Sequence, residues 1–131
     1  MPHVERVGAP GPTHDEFEQL LASHDPAVAE TARALRRLVA EAFPDAVEQV
    51  DSGNKLLAVG KTMAMRDLTF AIIPHTAHVN LQLANGADLS NDDALIEGTG
   101  KRIRHVKVRS VEAAASPALR MIVDAQVALR R

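Results

Sequence analysis

The chain contains no cysteine, tryptophan or tyrosine, and its 3 phenylalanines are its only aromatic residues. Without thiols it can form no disulfide, no thiolate zinc or iron–sulfur site and no cysteine nucleophile, so any metal must be held by histidine, carboxylate or backbone oxygen. Phe17, Phe43 and Phe70 all fall on segments that read as core, which leaves no platform for stacking bases or sugars. Charge of one sign is also missing. The 15 Lys+Arg against 17 Asp+Glu give a formal net charge of −2, so no global field draws nucleic acid to the molecule, and only a local basic patch could do so. No apolar run approaches the roughly 20 residues of a bilayer span. Residues 1–8 lack the basic and apolar regions of a secretory signal, so the expectation is a soluble, cytoplasmic protein without a membrane partner.

What is present suits one folded unit. A chain of 131 residues is long enough to bury about two-thirds of its unfolded surface without metal or disulfide. Residues 1–12 end in the breaker cluster Gly8-Ala9-Pro10-Gly11-Pro12 and read as a flexible lead-in, leaving 13–131 as the single domain. Thr13 and Glu16 have the spacing of a capping box in front of Phe17, Leu20 and Leu21, which predicts a helix over about 14–23. Asp25-Pro26 opens a longer helix, with Val28, Ala32, Leu35, Val39, Ala42 and Phe43 at three- and four-residue steps and Pro44 as its stop.

From Ala46 the period becomes extended. Val47 to Asp51 and Lys55 to Val59 flank Ser52-Gly53-Asn54 as a hairpin, with Lys61 to Arg66 either extending the second strand or forming a loop. Leu68, Phe70 and Ile72 alternate, as do Val79, Leu81 and Leu83. A reversal at His75-Thr76 would set Ile72 against Val79, Phe70 against Leu81 and Leu68 against Leu83. The opposite face then carries Thr69, Ala71, Ile73, His78, Asn80 and Gln82. Ser90 and Asp93 predict a short helix over about 91–97 that Gly98 ends, and a further strand follows with Val106 and Val108 inward. Ser116-Pro117 opens a last helix with Leu119, Ile122, Val123, Gln126 and Val127 on its inner side. The expected fold is therefore α+β: an antiparallel sheet of about five strands, with two N-terminal helices and a C-terminal helix packed on one face.

Chemical character concentrates in 98–109, where a glycine-hinged turn leads into a strand studded with positive charge. Successive backbone N–H groups beside Lys101 and Arg102 suit an anion. The spacing is not that of a Walker loop, and the turn leads into a strand. Alternation places His105 and Lys107 on the same face as His78 and Asn80, making a candidate anion-binding or ligand face from these six residues. His75 and His78, three apart in an extended chain, should diverge and so not share a metal. The serines lie in turns and caps without a histidine and an acid beside them, so no catalytic residue is assigned and a non-enzymatic binding role is expected.

His78-Val79-Asn80-Leu81, Gly86-Ala87-Asp88-Leu89 and the run from Leu95 through Glu97-Gly98-Thr99-Gly100-Lys101-Arg102 to Arg109 resemble, in order and spacing, the YdhG-like family of small bacterial domains. The resemblance covers about residues 14–130, and Pro44-Asp45 after the long helix also fits it. It implies helices on an antiparallel sheet and, from an activity associated with some members, frataxin-like intracellular iron delivery. The middle of the chain departs from the pattern. Asp51-Ser52-Gly53-Asn54-Lys55 and the strand ending Gln82-Leu83 carry no aromatic residue where the family often does, which withdraws support from a site lined by such residues. Iron prefers hard carboxylates, and Asp45, Glu48 and Asp51 are the candidate ligands. Three readings follow: iron binding and delivery with no other cofactor required, a protein-interaction or homodimer face on the open sheet, and binding of an anion or phosphate-bearing small ligand at Gly98–Arg109.

Overall fold

In the computed structural model, which describes residues 3–131, the segments with a helical apolar period are helices and those with a period of two are strands of one sheet. Helix α1 spans Pro12–Leu21 and α2 Pro26–Ala42, the latter capped by Asp25, whose carboxylate accepts from Ala27 N–H at 2.9 Å. Five longer strands follow the expected alternation: β2 Val47–Asp51, β3 Leu56–Gly60, β4 Leu68–Pro74, β5 Val79–Leu83 and β7 Arg104–Val108. Two more, β1 Glu5–Arg6 and β6 Ile96–Glu97, raise the count to seven. The order is β1-β2-β3-β4-β5-β7-β6 and every adjacent pair is antiparallel. Helix α3, Val111–Ala114, leads into α4, Pro117–Arg130, and serines 110 and 116 cap them through their hydroxyls.

One face of the sheet carries the core. Leu57, Val59, Phe70, Ile72, Val79, Leu81, Leu83, Val106 and Val108 are buried in one cluster with Phe17, Leu35, Val39, Leu119 and Val123 of the helices. At about 25 cal/mol per Å² of apolar surface removed from water, this layer is the main stabilising term. Gln126, fully buried, fixes the end of α4 by accepting from Asn85 N–H at 2.8 Å and donating to Asn85 Oδ1 at 3.1 Å.

Several local expectations are corrected. Thr13 is not a cap: it lies inside the first turn of α1, donates its N–H to Glu5 Oε1 at 2.9 Å, and donates its hydroxyl to the His3 carbonyl at 3.0 Å. The carboxylate partner thus comes from β1 rather than from Glu16. Of the lead-in read over residues 1–12, the first two lie outside the described residues, and the rest is tied to the fold through β1, the buried Val7 and the start of α1 at Pro12. The β4–β5 register differs by two residues, with Pro74 opposite Val79, Ile72 opposite Leu81 and Phe70 opposite Leu83, so every side chain keeps its expected face. No helix forms over 91–97. Asn91 donates its side-chain amide to Ile96 O at 3.0 Å and accepts from Ile96 N–H at 2.9 Å, an arrangement that satisfies the start of β6 as a neighbouring strand would. Among the described residues no helix is long and apolar enough to cross a membrane.

Candidate functional site

The helix-free face of the sheet holds most of the residues singled out from the sequence. Asn80 lies opposite Lys107, Gln82 opposite His105, and His105 opposite Glu97. With His78 they form a polar half-face across β5, β7 and β6, in which Lys107 and Glu97 carry opposite charges and Asn80 Oδ1 is buried without a hydrogen-bond partner among the described residues. His75 and His78 do not diverge. Their rings stack at 4.8 Å between centroids, inclined by 20°. The two-residue turn Thr76-Ala77 makes them a directly opposed pair, closed by His75 N–H donating to His78 O at 2.8 Å, and opposed residues share a face. Burial first, then the charges of His75, Lys107 and Arg109, hold the His78 imidazole below its ordinary pKa, while Glu97 opposes the shift. A folded state that disfavours the charged ring loses stability as pH falls below the ordinary histidine value.

The three carboxylates proposed for iron are not brought together. Asp45 is exposed in the turn after α2. Glu48 points to the helices, fully buried, where it accepts from Arg36 Nε at 3.1 Å. Asp51, on the opposite face, accepts from Asn54 N–H at 3.0 Å and Asn54 Nδ2 at 2.8 Å, and these bonds lower its pKa. Among the described residues no three His, Cys, Asp or Glu side chains gather as a metal-binding group.

Beside the polar half-face, above β3 and β4, lies a groove of about 460 Å³. Its floor is Leu56, Ala58 and Ala71, outward-facing on neighbouring strands. One wall is the segment between β3 and β4, which includes a 3-10 turn at Met65–Asp67 and answers the open question over 61–66. That wall is held by Thr62, whose hydroxyl donates to Asp67 Oδ2 at 2.8 Å and accepts from Ala64 N–H at 3.0 Å. It can form because Gly60 has no side chain: a Cβ there would lie 2.4 Å from Asp67 O. The other wall is the loop before β7, where Gly100 packs so closely on Ile103 O that a Cβ would again lie 2.4 Å away. This loop is tied down by Ala87 N–H donating to Arg102 O at 3.0 Å and Arg104 Nε donating to Gly100 O at 2.9 Å. Each wall offers an exposed apolar side chain to the rim, Met65 at 85% and Ile103 at 54% exposure.

Compared with known proteins, the chain matches no family model, no curated protein and no solved structure.

Three guanidiniums line the groove: Arg66, Arg102 and Arg130. The described ion pairs belong to Arg33, Arg36 and Arg120, so none of these three is neutralised by one of them. Arg130 is anchored through Nη2, which donates to the carbonyls of Arg66 and Leu68, the latter at 3.0 Å. Of the predicted ligand face, Arg102 reaches the groove, while Lys101 is exposed on the loop and does not line it. Neither Arg66 nor Arg130 belongs to a motif in the sequence. A loop and a helix terminus 64 residues apart meet here, and no local pattern announces that. Arg36 did leave a signal, since it sits four residues after Ala32 and three before Val39 on the apolar stripe of α2.

Proposed function

We propose that this protein is a non-enzymatic binding protein that takes a small anionic ligand on the open face of its sheet. The observation that carries the reading is the groove, with its apolar floor and three guanidiniums outside the described ion pairs. Ligand sites are commonly concave, mostly apolar and fitted with a few convergent polar groups, in volumes of about 300–1,000 Å³. Guanidinium is the side chain best suited to oxyanions, and beside low-dielectric walls its attraction is less screened than on open surface. Lys107 adds one positive charge alongside, on the polar strip it shares with His78, Asn80 and His105. The resemblance to the YdhG-like family supports the iron-delivery alternative, for which no ligand set is assembled among the described residues.

The test is calorimetric titration of the full chain with a panel of inorganic phosphate, a nucleoside monophosphate, and short- and medium-chain carboxylates at two salt concentrations. The expected result is saturable one-to-one binding of at least one member, weaker at high salt and reduced at least tenfold in the Arg66→Gln/Arg102→Gln variant. Binding that ignores both salt and the substitutions, or no binding by any member, overturns the reading.

A further inference from the structure

The groove is polarised along its length. At the Gly60 end of β3 it meets Leu68, paired with Gly60, and the three arginines gather around that end: Arg66 just before β4, Arg130 bonded to the Leu68 carbonyl, and Arg102 on the loop before β7. The β7 loop reaches the same end because Arg104 lies opposite Leu83, next to Ala84, whose N–H donates to Thr69 O at 3.1 Å. At the other end of β3, Leu56 is paired with Asp51, and the Asp51 carboxylate also lines the groove. Four strand residues, about 13 Å at a strand's rise per residue, separate the two ends. Between them the floor is Leu56, Ala58 and Ala71, with the Gln82 side chain beside Ala71 on β5 and Thr69 toward the arginine end as the polar groups that border it.

The hydrogen-bonding capacity at the cationic end is open. A guanidinium has five N–H donors, and Arg130 uses Nη2 alone in its described bonds, leaving Nε and Nη1. Arg66 and Arg102 stand in no described side-chain hydrogen bond or ion pair. The Thr69 hydroxyl is occupied by the Asp67 carbonyl at 3.1 Å, so the groove offers a head group guanidinium rather than hydroxyl donors. The exposed side chains of Met65 and Ile103 stand on opposite walls, where they would close over an apolar body laid on the floor.

Resting on the anion-binding reading above, we propose that the ligand is an aliphatic chain ending in a single oxyanion group. The charged head lies among Arg66, Arg102 and Arg130, and the chain runs along the Leu56, Ala58 and Ala71 floor toward Asp51. Asp51 then acts as a selector. A ligand charged at both ends would bring its second anion toward this carboxylate, which is held ionised by its bonds to Asn54. The occupant is thus a monoanion and not a diacid.

The experiment is a chain-length series on the full protein: butyrate, hexanoate, octanoate and decanoate by calorimetry, with decanedioate and decyltrimethylammonium as the paired probes. Affinity is expected to rise by up to about fourfold per added methylene, the transfer free energy of one CH2 group. Decanedioate should bind at least tenfold more weakly than decanoate, and Asp51→Asn should narrow that gap. The cationic amphiphile should not bind. If short and long carboxylates or phosphate bind equally, the chain assignment is overturned while anion binding on the open face stands. If no anion binds, both fall. If decyltrimethylammonium binds as well as decanoate, the arginines play no part and both fall. Apart from the Asp51→Asn arm these comparisons use unaltered protein, so a variant that fails to fold does not compromise them. A dimer at micromolar concentration that decanoate leaves intact and Ile103→Lys dissociates would assign the groove to a second copy and overturn the proposal.

Discussion

Glu48 is fully buried and Arg36 nearly so, and the surroundings of that pair account for its survival. Arg36 donates to both Glu48 oxygens through Nε, at 3.2 and 3.1 Å, and to Oε1 again through Nη2 at 2.5 Å, while Nη2 also donates to the Ala9 carbonyl at 3.1 Å and Nη1 to His14 Nδ1 at 2.8 Å. Its Cζ also sits 5.8 Å from the Phe17 ring centroid. The Nδ1 contact requires that nitrogen to accept, which places the neutral ring's proton on Nε2. One arginine therefore joins α2, β2, α1 and the chain between β1 and α1. Arg36→Met leaves the Glu48 carboxylate buried and unpaired, and the expected cost is about 3–5 kcal/mol in urea unfolding. Adding Glu48→Leu removes the stranded charge and should recover more than half of that loss. A double variant no more stable than the single one would mean that Arg36 acts through its contacts with Ala9 and His14 instead.

At the scale of elements, the loop from Lys61 to Asp67 depends on one missing side chain. Gly60→Ala forces a Cβ against Asp67 O and Thr62 O, which lie 2.4 and 2.9 Å from its position, so either the loop or the β3–β4 irregularity at Val59/Gly60 must shift. The expected loss is about 1–3 kcal/mol, the scale of overpacking, together with weaker ligand binding because a wall of the groove moves. Gly53→Ala is the control: its nearest neighbour would be Asp51 Oδ1 at 3.6 Å, an ordinary contact, and its unfolding midpoint should stay close to that of the parent protein. Much of this architecture was legible in the sequence. The five longer strands show a period of two and the two long helices a period near 3.6, and these patterns survive because the large apolar side chains of each element go to the core side, even in β4, where the small Thr69 and Ala71 on the other face are covered as well. The two-residue strands β1 and β6 are too short to have a period. The β4–β5 register was unreadable for a different reason: a slip of two residues leaves every side chain on its face, so hydrophobic pattern cannot distinguish the two pairings, and the tight Thr76-Ala77 turn decides. His105 and Lys107 could be placed on the open face by alternation, and Arg102 by the glycine-hinged turn that precedes the strand. Arg66 and Arg130 could not, because only tertiary packing joins them.

For the whole molecule, stability should be graded from the middle of the sheet outward. Strands β3, β4 and β5 are paired on both sides and backed by fully buried Leu57, Ile72 and Leu81. Native-state hydrogen exchange is expected to be slowest in β4 and β5, opening only with global unfolding, and fastest in β1 and β6, two-residue strands paired on one side only. Equal protection in β6 and β4 would contradict this gradient and imply that the sheet opens as one unit. The same two short strands have another consequence. They are the borders of the sheet, and each presents only a two-residue row of backbone donors and acceptors to a passing chain. Exposed sheet borders are where proteins template one another into aggregates, and very short ones are a recognised safeguard. A concentrated solution of this protein should therefore resist border-to-border polymerisation, despite a sheet seven strands wide.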